Sequence, residues 1–384
     1  MRVLFLSNLY PNTLEPTRAT FNRQKIAALS KHCEITVVAP ILWFPFKFLL
    51  NKKEAAIPFE ENIDGLKVYH PKVFYFPKFF RFLYGFFYYT SIVGFVMRLR
   101  NNFSFDIIFS SWVYPDGYCA MRLAKKFRIP YMVEALGSDI NIYTKTTLRR
   151  IIIKQILRRA TKIITVSKDL KRKIMQSNIP EQAISIVYAG INHKTFYPMD
   201  KTLARKQVNV SAGKVVIFVG NLVKIKGIEY LLKAIPLSKN KDWKLYIIGE
   251  GELRGRFQKV IAELGLEERV FMPGMVAHDK LCLWLNVSDM LCLPSFTEGV
   301  PNVVLEAMAC GLPVVASRLP GIIEVTDDLT AILSEPGNSC QLASNIDAAL
   351  VRTWDRDYIH RKSLDFDWDV TAQELFKNIQ ICVA

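Results

Sequence analysis

Short apolar runs alternate with longer stretches of helical periodicity along almost the whole chain. In the first half the runs predict strands at Arg2–Ser7, Glu34–Ala39, Ile107–Ser110, Tyr131–Ala135, Lys162–Val166 and Ser185–Val187. In the second half they predict strands at Val215–Val219, Lys244–Ile248, Val270–Met272, Met290–Leu293, Pro313–Ala316 and Ala331–Leu333. Val215–Val219, Lys244–Ile248 and Met290–Leu293 are nearly continuous apolar runs, the pattern of strands buried on both faces of a parallel sheet. The expected fold class is therefore α/β, with two doubly wound, Rossmann-like domains joined end to end. The periodicity breaks over Phe196–Lys214, which puts residues 1–197 in the first domain and 198–364 in the second. Open α/β sheets bind ligands beyond the carboxyl ends of their strands, so two such sheets predict a ligand cleft between them.

One region departs from this alternation. Trp43–Leu50 and Val73–Met97 are crowded with aromatic residues and punctuated by Lys72, Lys78, Arg81, Arg98 and Arg100. The uncharged run Phe82–Met97 has 16 residues, short of the roughly 20 that span a bilayer. Two readings fit it: a segment lying in a membrane interface, or a buried hydrophobic helical hairpin. Charge adds to the first reading. Residues 1–197 hold 30 lysines and arginines against 12 acids, a net +18, whereas residues 198–384 hold 21 against 23, a net −2. A basic first half attracts a polyanion such as an anionic membrane or a phosphorylated acceptor. The stretch Lys145–Lys162 carries Arg149, Arg150, Lys154, Arg158 and Arg159 around an apolar stripe of Ile152, Ile156 and Leu157, which should face the core.

With 384 residues, half of them hydrophobic, the chain is long enough for two sizeable cores. The seven cysteines are scattered, with no C-x-x-C pair and no metal-ligand spacing, which predicts a reducing compartment and no structural zinc. The opening MRVLFLSNLYPN has an apolar run of four residues and no cleavage site, so it reads as a first strand and the protein is expected in the cytoplasm. No recognised nucleic-acid motif accompanies the basic half, so nucleic acid is not an expected partner.

The chemistry-bearing segment with the most information is Ser295–Ser317, SFTEGVPNVVLEAMACGLPVVAS. It reads as strand, loop and helix, with Pro301 in the first helical turn and Gly311 at the exit. Amides around Gly299, Val300, Pro301 and Asn302 would face an anion at the helix start. Glu298 in the loop and Glu306 on the helix frame that place, and carboxylates accept hydrogen bonds from sugar hydroxyls. No D-x-D pair lies beside it, so neither a metal nor another cofactor is expected. Two further strand ends carry loops suited to phosphate: GNLVKIKG, Gly220–Gly227, with Lys226 at a helix start, and Gly249 and Gly251 in IIGEGELR.

These segments resemble the family-4 retaining glycosyltransferases of the two-domain GT-B fold, over nearly the whole chain. The resemblance is narrower for members that build bacterial exopolysaccharide or teichuronic-acid-type chains. It implies that Glu298 touches the transferred sugar and Glu306 the ribose. It also implies that Gly220, Asn221, Leu222, Lys226 and Gly227 form a phosphate-binding turn, with Gly249 and Gly251 as the companion loop. In the first half YPDG (Tyr114–Gly117), ALGSDIN (Ala135–Asn141), Val166-Ser167 and YAGINHKTFYP (Tyr188–Pro198) follow the family's order. The terminal DFDWDVTAQELFKNI resembles the family's segment that crosses back, which assigns residues 365–384 to the first domain. Asn221 stands where many relatives have arginine, and Leu136 where a basic residue, commonly histidine, is frequent. Asp139 is either an acceptor-side acid or a helix cap.

The resemblance implies metal-free transfer with retention, from a nucleotide-diphosphate sugar to a lipid-linked saccharide acceptor, at the cytoplasmic face of a membrane. Leaving-group charge would fall on Lys226 and the helix near Pro301, with the acceptor proton passing to the departing phosphate. The rivals are a GT-B-fold epimerase or phosphorylase, for which no acid/base set or cofactor lysine is evident, and a nucleotide-sugar-binding subunit without turnover, for which Leu136 and Asn221 speak.

Overall fold

Residues that run apolar at strand spacing form two mainly parallel sheets in this computed structural model. It describes every residue except 17, 45–56, 77–79, 142 and 211–212, and of Ser138 and Lys145 the backbone alone. The chain divides into one unit of Met1–Gly190 with Trp368–Ala384, and a second of Ile191–Asp367.

The first unit holds β1 (Arg2–Leu6), β2 (Glu34–Val38), β3 (Ile41–Trp43), β4 (Glu60–Ile63), β5 (Leu66–Tyr69), β6 (Lys72–Phe74), β7 (Ile107–Ser111), β8 (Tyr131–Ala135), β9 (Lys162–Thr165) and β10 (Ile184–Ile186). Eight of them order as β10-β9-β8-β7-β1-β2-β5-β4, with β4 antiparallel to β5 and the rest parallel; β3 and β6 pair separately. β1, β7 and β8 sit centrally and their side chains are buried on both faces, as their unbroken apolar runs require. The second unit holds β11 (Lys214–Val219), β12 (Trp243–Ile248), β13 (Val270–Gly274), β14 (Met290–Leu293), β15 (Val314–Ser317) and β16 (Ala331–Ser334). Their order, β13-β12-β11-β14-β15-β16, all parallel, is that of a Rossmann sheet, with the topological switch point between β11 and β14.

The division falls earlier than the 197/198 expected from the break in periodicity. Phe196 explains the difference: its ring is fully buried in the second unit, edge-on to His278 with ring centroids 5.0 Å apart. Asn286 adds to this hold, donating through Nδ2 to the Tyr197 carbonyl at 3.0 Å and accepting from the Met199 amide at 2.8 Å. The return to the first unit begins at Trp368, against the expected 365, because Ile191 N–H donates to the Phe366 carbonyl at 2.6 Å within the second unit. Helix 368–383 then buries Trp368, Ala372, Leu375 and Ile379 against Ile26, Leu29 and Val3 of the first unit.

The described part of the aromatic segment Val73–Met97 includes β6, a 3-10 turn at Arg81–Leu83 and helix 84–102, while residues 45–50 and 77–79 lie outside the described residues. Gly85, Tyr88, Ile92, Val96 and Leu99 recur at helical spacing and are buried in the core of the first unit. Other residues of the segment, Phe80, Phe82, Phe86 and Met97, are exposed. Residues 81–102 are long and apolar enough by length and composition to cross a membrane, and 28% of this apolar stretch is buried inside the protein. Arg100 is not the exposed flank it was expected to be: its guanidinium lies over Phe105 and Phe127, 5.1 and 4.6 Å from the ring centroids. Lys78 lies outside the described residues. In helix 147–159 the buried stripe is Ile153, Ile156 and Leu157, with Ile152 only half-buried, while Leu148 and Ile151 are exposed.

Candidate functional site

The loops after β11, β12 and β14 meet at the switch point of the second sheet. Hydrogen bonds between strand ends stitch them together: Gly220 N–H to the Ile248 carbonyl at 3.0 Å, Leu222 N–H to Glu250 at 2.9 Å, and Phe296 N–H to Ile225 at 2.8 Å. Gly249 is required here for two reasons. Its φ of +142° is a conformation that side chains disfavour, and a Cβ would lie 2.0 Å from the Gly220 carbonyl oxygen. Gly251 sits against the backbone of Leu222 in the same turn. Lys226 ends a short 3-10 turn, and Gly227 caps helix 228–237 behind it.

The helix carrying Glu306 runs Asn302–Ala309, so Pro301 is its N-cap and not a first-turn residue; no side chain caps that end. Val300 and Pro301 are buried, Gly299 is half-buried and Asn302 is exposed, which lines the helix start with backbone. Asn221 is exposed.

Both glutamates are fixed through one oxygen. Glu298 Oε1 accepts from Lys226 Nζ at 2.6 Å and from Ser295 Oγ at 2.6 Å. Glu306 Oε1 is 3.0 Å from His278 Nε2. Neither Oε2 takes a hydrogen bond among the described residues, so each carboxylate keeps an acceptor for hydroxyls. Lys226 and Glu298 are mostly but not wholly shielded, at 21% and 11% exposure. The ammonium has three donors, one of which Glu298 uses, so it can also serve an anion. The sequence singles out Lys226, Glu298 and Glu306, and it does not single out Ser295, His278 and Gly321, which the structure sets against them or against the turn they share. A Cβ on Gly321 would lie 1.6 Å from the Gly299 carbonyl oxygen, so the turn beside Glu298 exists only because this residue is glycine. Leu-Pro-Gly after a strand was the available signal.

Asp139 belongs to the first unit and is completely buried. Its carboxylate accepts from the amides of Val113 (3.0 Å), Leu136 (3.2 Å), Gly137 (2.9 Å) and Ile140 (3.1 Å). Burial pushes its pKa up to about 6 against the pull of those donors. The geometry thus gives it the organising role of a cap for the loops after β7 and β8. Nearby Asp116, also fully buried, is pushed up to about 8 by desolvation.

Two Rossmann-like units in tandem, one with glycine turns at the switch point of its sheet, have the architecture of the GT-B fold. Comparison with known proteins agrees. Residues 22–195 match the model described as Glycosyltransferase Family 4, and residues 213–351 that described as Glycosyl transferases group 1. The chain belongs to these glycosyltransferases. An uncharacterized glycosyltransferase of Methanocaldococcus jannaschii is 33% identical over 225 residues, 55% of this chain and 58% of that relative's length. A candidate teichuronic acid biosynthesis glycosyltransferase, TuaC of Bacillus subtilis, is 25% identical over 357 residues, 90% of this chain and 88% of its own. Among solved structures, sucrose-phosphate synthase from Thermosynechococcus elongatus superposes with a TM-score of 0.80 at 20% identity, covering 99% of this chain and 98% of that one. Anabaena HepE in complex with UDP-glucose gives 0.75 at 19%, covering 99% of each. At such identities the likeness is one of fold.

Proposed function

We propose that the chain transfers a sugar, with retention and without a metal ion, from a nucleotide-diphosphate sugar to a lipid-linked saccharide in the synthesis of a surface polysaccharide. The observation that carries this reading is the Lys226–Glu298 pair at the switch point, a cation and a sugar-type acceptor 2.6 Å apart. In the proposed complex the diphosphate lies over Gly220–Gly227 and the start of helix 302–309. Lys226 and that helix end then meet the negative charge that develops on the leaving group. Glu298 Oε2 faces the sugar and Glu306 Oε2 the ribose, while Gly249 and Gly251 let the backbone approach. Asn221 adds a neutral hydrogen-bonding group and leaves the charge to Lys226. The UDP-glucose held by HepE and the polymer named for TuaC support the donor and acceptor classes.

The same reading sets the reaction at an anionic membrane on its cytoplasmic side. Exposed Phe80, Phe82, Phe86, Leu148 and Ile151 together with exposed Arg81, Arg98 and Arg150 support it. The test is a panel of UDP-, GDP- and ADP-sugars offered to the purified chain with a lipid-diphosphate saccharide. Release of nucleoside diphosphate that depends on the acceptor supports the proposal. Binding of a donor without turnover on any acceptor would favour the binding-subunit alternative.

A further inference from the structure

His278 stands outside the loops assigned to the donor, yet it is the group that holds Glu306. It lies in the 3-10 turn His278–Lys280, ahead of helix 281–287. Its Nε2 is 3.0 Å from Glu306 Oε1, on helix 302–309. The two elements face each other one turn further on as well, where Cys282 Sγ and Cys310 Sγ are 3.8 Å apart. A third tie lies behind them: Arg356 donates to the Cys310 carbonyl at 3.0 Å and approaches Asn286 Oδ1 at 3.4 Å. The imidazole is pinned from its other side by the buried Phe196 ring, edge-on at 5.0 Å between centroids. Glu306 is therefore held by a side chain that itself packs against a buried ring.

We infer that His278 is a positioning residue for donor binding, which fixes the Glu306 carboxylate so that Oε2 is presented to the nucleotide's ribose. The inference rests on the proposed role of Glu306. A carboxylate on a helix otherwise samples several rotamers, and each one removed before binding is entropy the ligand need not supply. The hydrogen bond is charge-assisted when the imidazole is protonated, which is the stronger kind. Glu306 raises the His278 pKa above its ordinary 6.5, chiefly through that bond and against the effect of burial, with Asp279 beside it acting in the same sense. The sign follows. The imidazolium and its grip are complete below 6.5 and fade as pH rises through the raised pKa, leaving at most a neutral Nε2–H donor. An incoming diphosphate also favours the cation, so affinity should fall with rising pH. Of the thiols on the two facing elements, Cys310 is pushed well up by burial, whereas Cys282 is drawn down to about 7 by its bond with Cys310. A variant that removes the imidazole and keeps the thiol separates the two.

The experiment is calorimetric titration with UDP, GDP and ADP, followed by the tightest of the three between about pH 5 and 8. It compares wild type, His278→Ala, His278→Gln, Glu306→Ala and the double variant His278→Ala/Glu306→Ala, each checked for native circular dichroism. His278→Ala should weaken binding on the order of tenfold, the loss of one hydrogen bond to a charged group. His278→Gln, which restores a neutral donor, should recover much of the affinity but lose the pH dependence. The double variant should bind no more weakly than Glu306→Ala, because the histidine acts only through the glutamate. If wild type binds none of the three nucleotides, or Glu306→Ala binds as wild type does, the donor-site reading falls and this inference with it. If Glu306→Ala weakens binding but the His278 loss is fully additive, or the pH dependence of His278→Gln is the same as that of wild type, the positioning role is overturned while the donor site stands.

Discussion

At Glu298 and Glu306 one oxygen is already committed to the protein, and the difference in partner separates their effects. Glu298 shares its oxygen with Lys226 and Ser295, and Lys226 is the cation proposed to meet the leaving phosphate. Glu306 is tied to His278 instead. Glu306→Ala is therefore expected to raise KM for the donor with a small change in kcat, and Glu298→Ala to lower kcat chiefly; steady-state kinetics on both variants decide it, and wild-type behaviour in both would remove the pocket assignment. Lys226→Ala should cost a factor of about 100 in kcat/KM, equivalent to roughly 2.7 kcal/mol of lost charge stabilisation. Asn221, exposed and uncharged on the same turn, offers no compensation. A loss of less than about fivefold would mean that another cation serves the diphosphate. Added EDTA should leave the rate unchanged, and abolition with rescue by Mg²⁺ would contradict the metal-free reading.

At the scale of elements, the site depends on loops that approach one another more closely than side chains allow. Gly321→Ala should displace the Glu298–Gly299 turn, since the new Cβ meets the Gly299 carbonyl oxygen at 1.6 Å. An overpacking cost of about 1–3 kcal/mol in urea unfolding is expected, together with weaker nucleotide binding; unchanged binding would show that the turn is not part of the donor site. Central elements were legible before the structure because burial on both faces leaves a plain sequence mark, so Tyr131–Ala135 and Met290–Leu293 fall where predicted. The β4–β5 hairpin was missed because the edge strand β4, EENI, lacks apolar alternation: one of its inward positions is Glu61, its side chain buried against His70. Its Asp64-Gly65 turn, both residues at positive φ, was the signal available. His278 was invisible for another reason. Its role depends on Glu306, which lies three elements further along the chain and meets it only in the fold.

For the whole molecule, charge and exposed aromatic surface converge on the first unit, which carries 30 lysines and arginines against 14 acids, a net +16. Anionic liposomes should therefore sediment the protein and neutral ones much less, each basic contact contributing on the order of 1 kcal/mol and salt loosening the complex. Because Arg100 is turned inward over Phe105 and Phe127 and Arg149 lies over Tyr143, the informative variant changes the exposed Arg81, Arg98 and Arg150 to Gln and leaves Arg100 and Arg149 in place. Equal, salt-insensitive sedimentation of both proteins would remove the electrostatic part of this account. Sugar transfer is read out by NMR of the linkage formed when the chain is given a nucleotide-diphosphate sugar and a lipid-diphosphate saccharide in anionic vesicles. A new glycosidic bond with the anomeric configuration of the donor is expected; an inverted linkage, or an intact donor and acceptor after incubation with every sugar of the panel, would overturn retaining transfer.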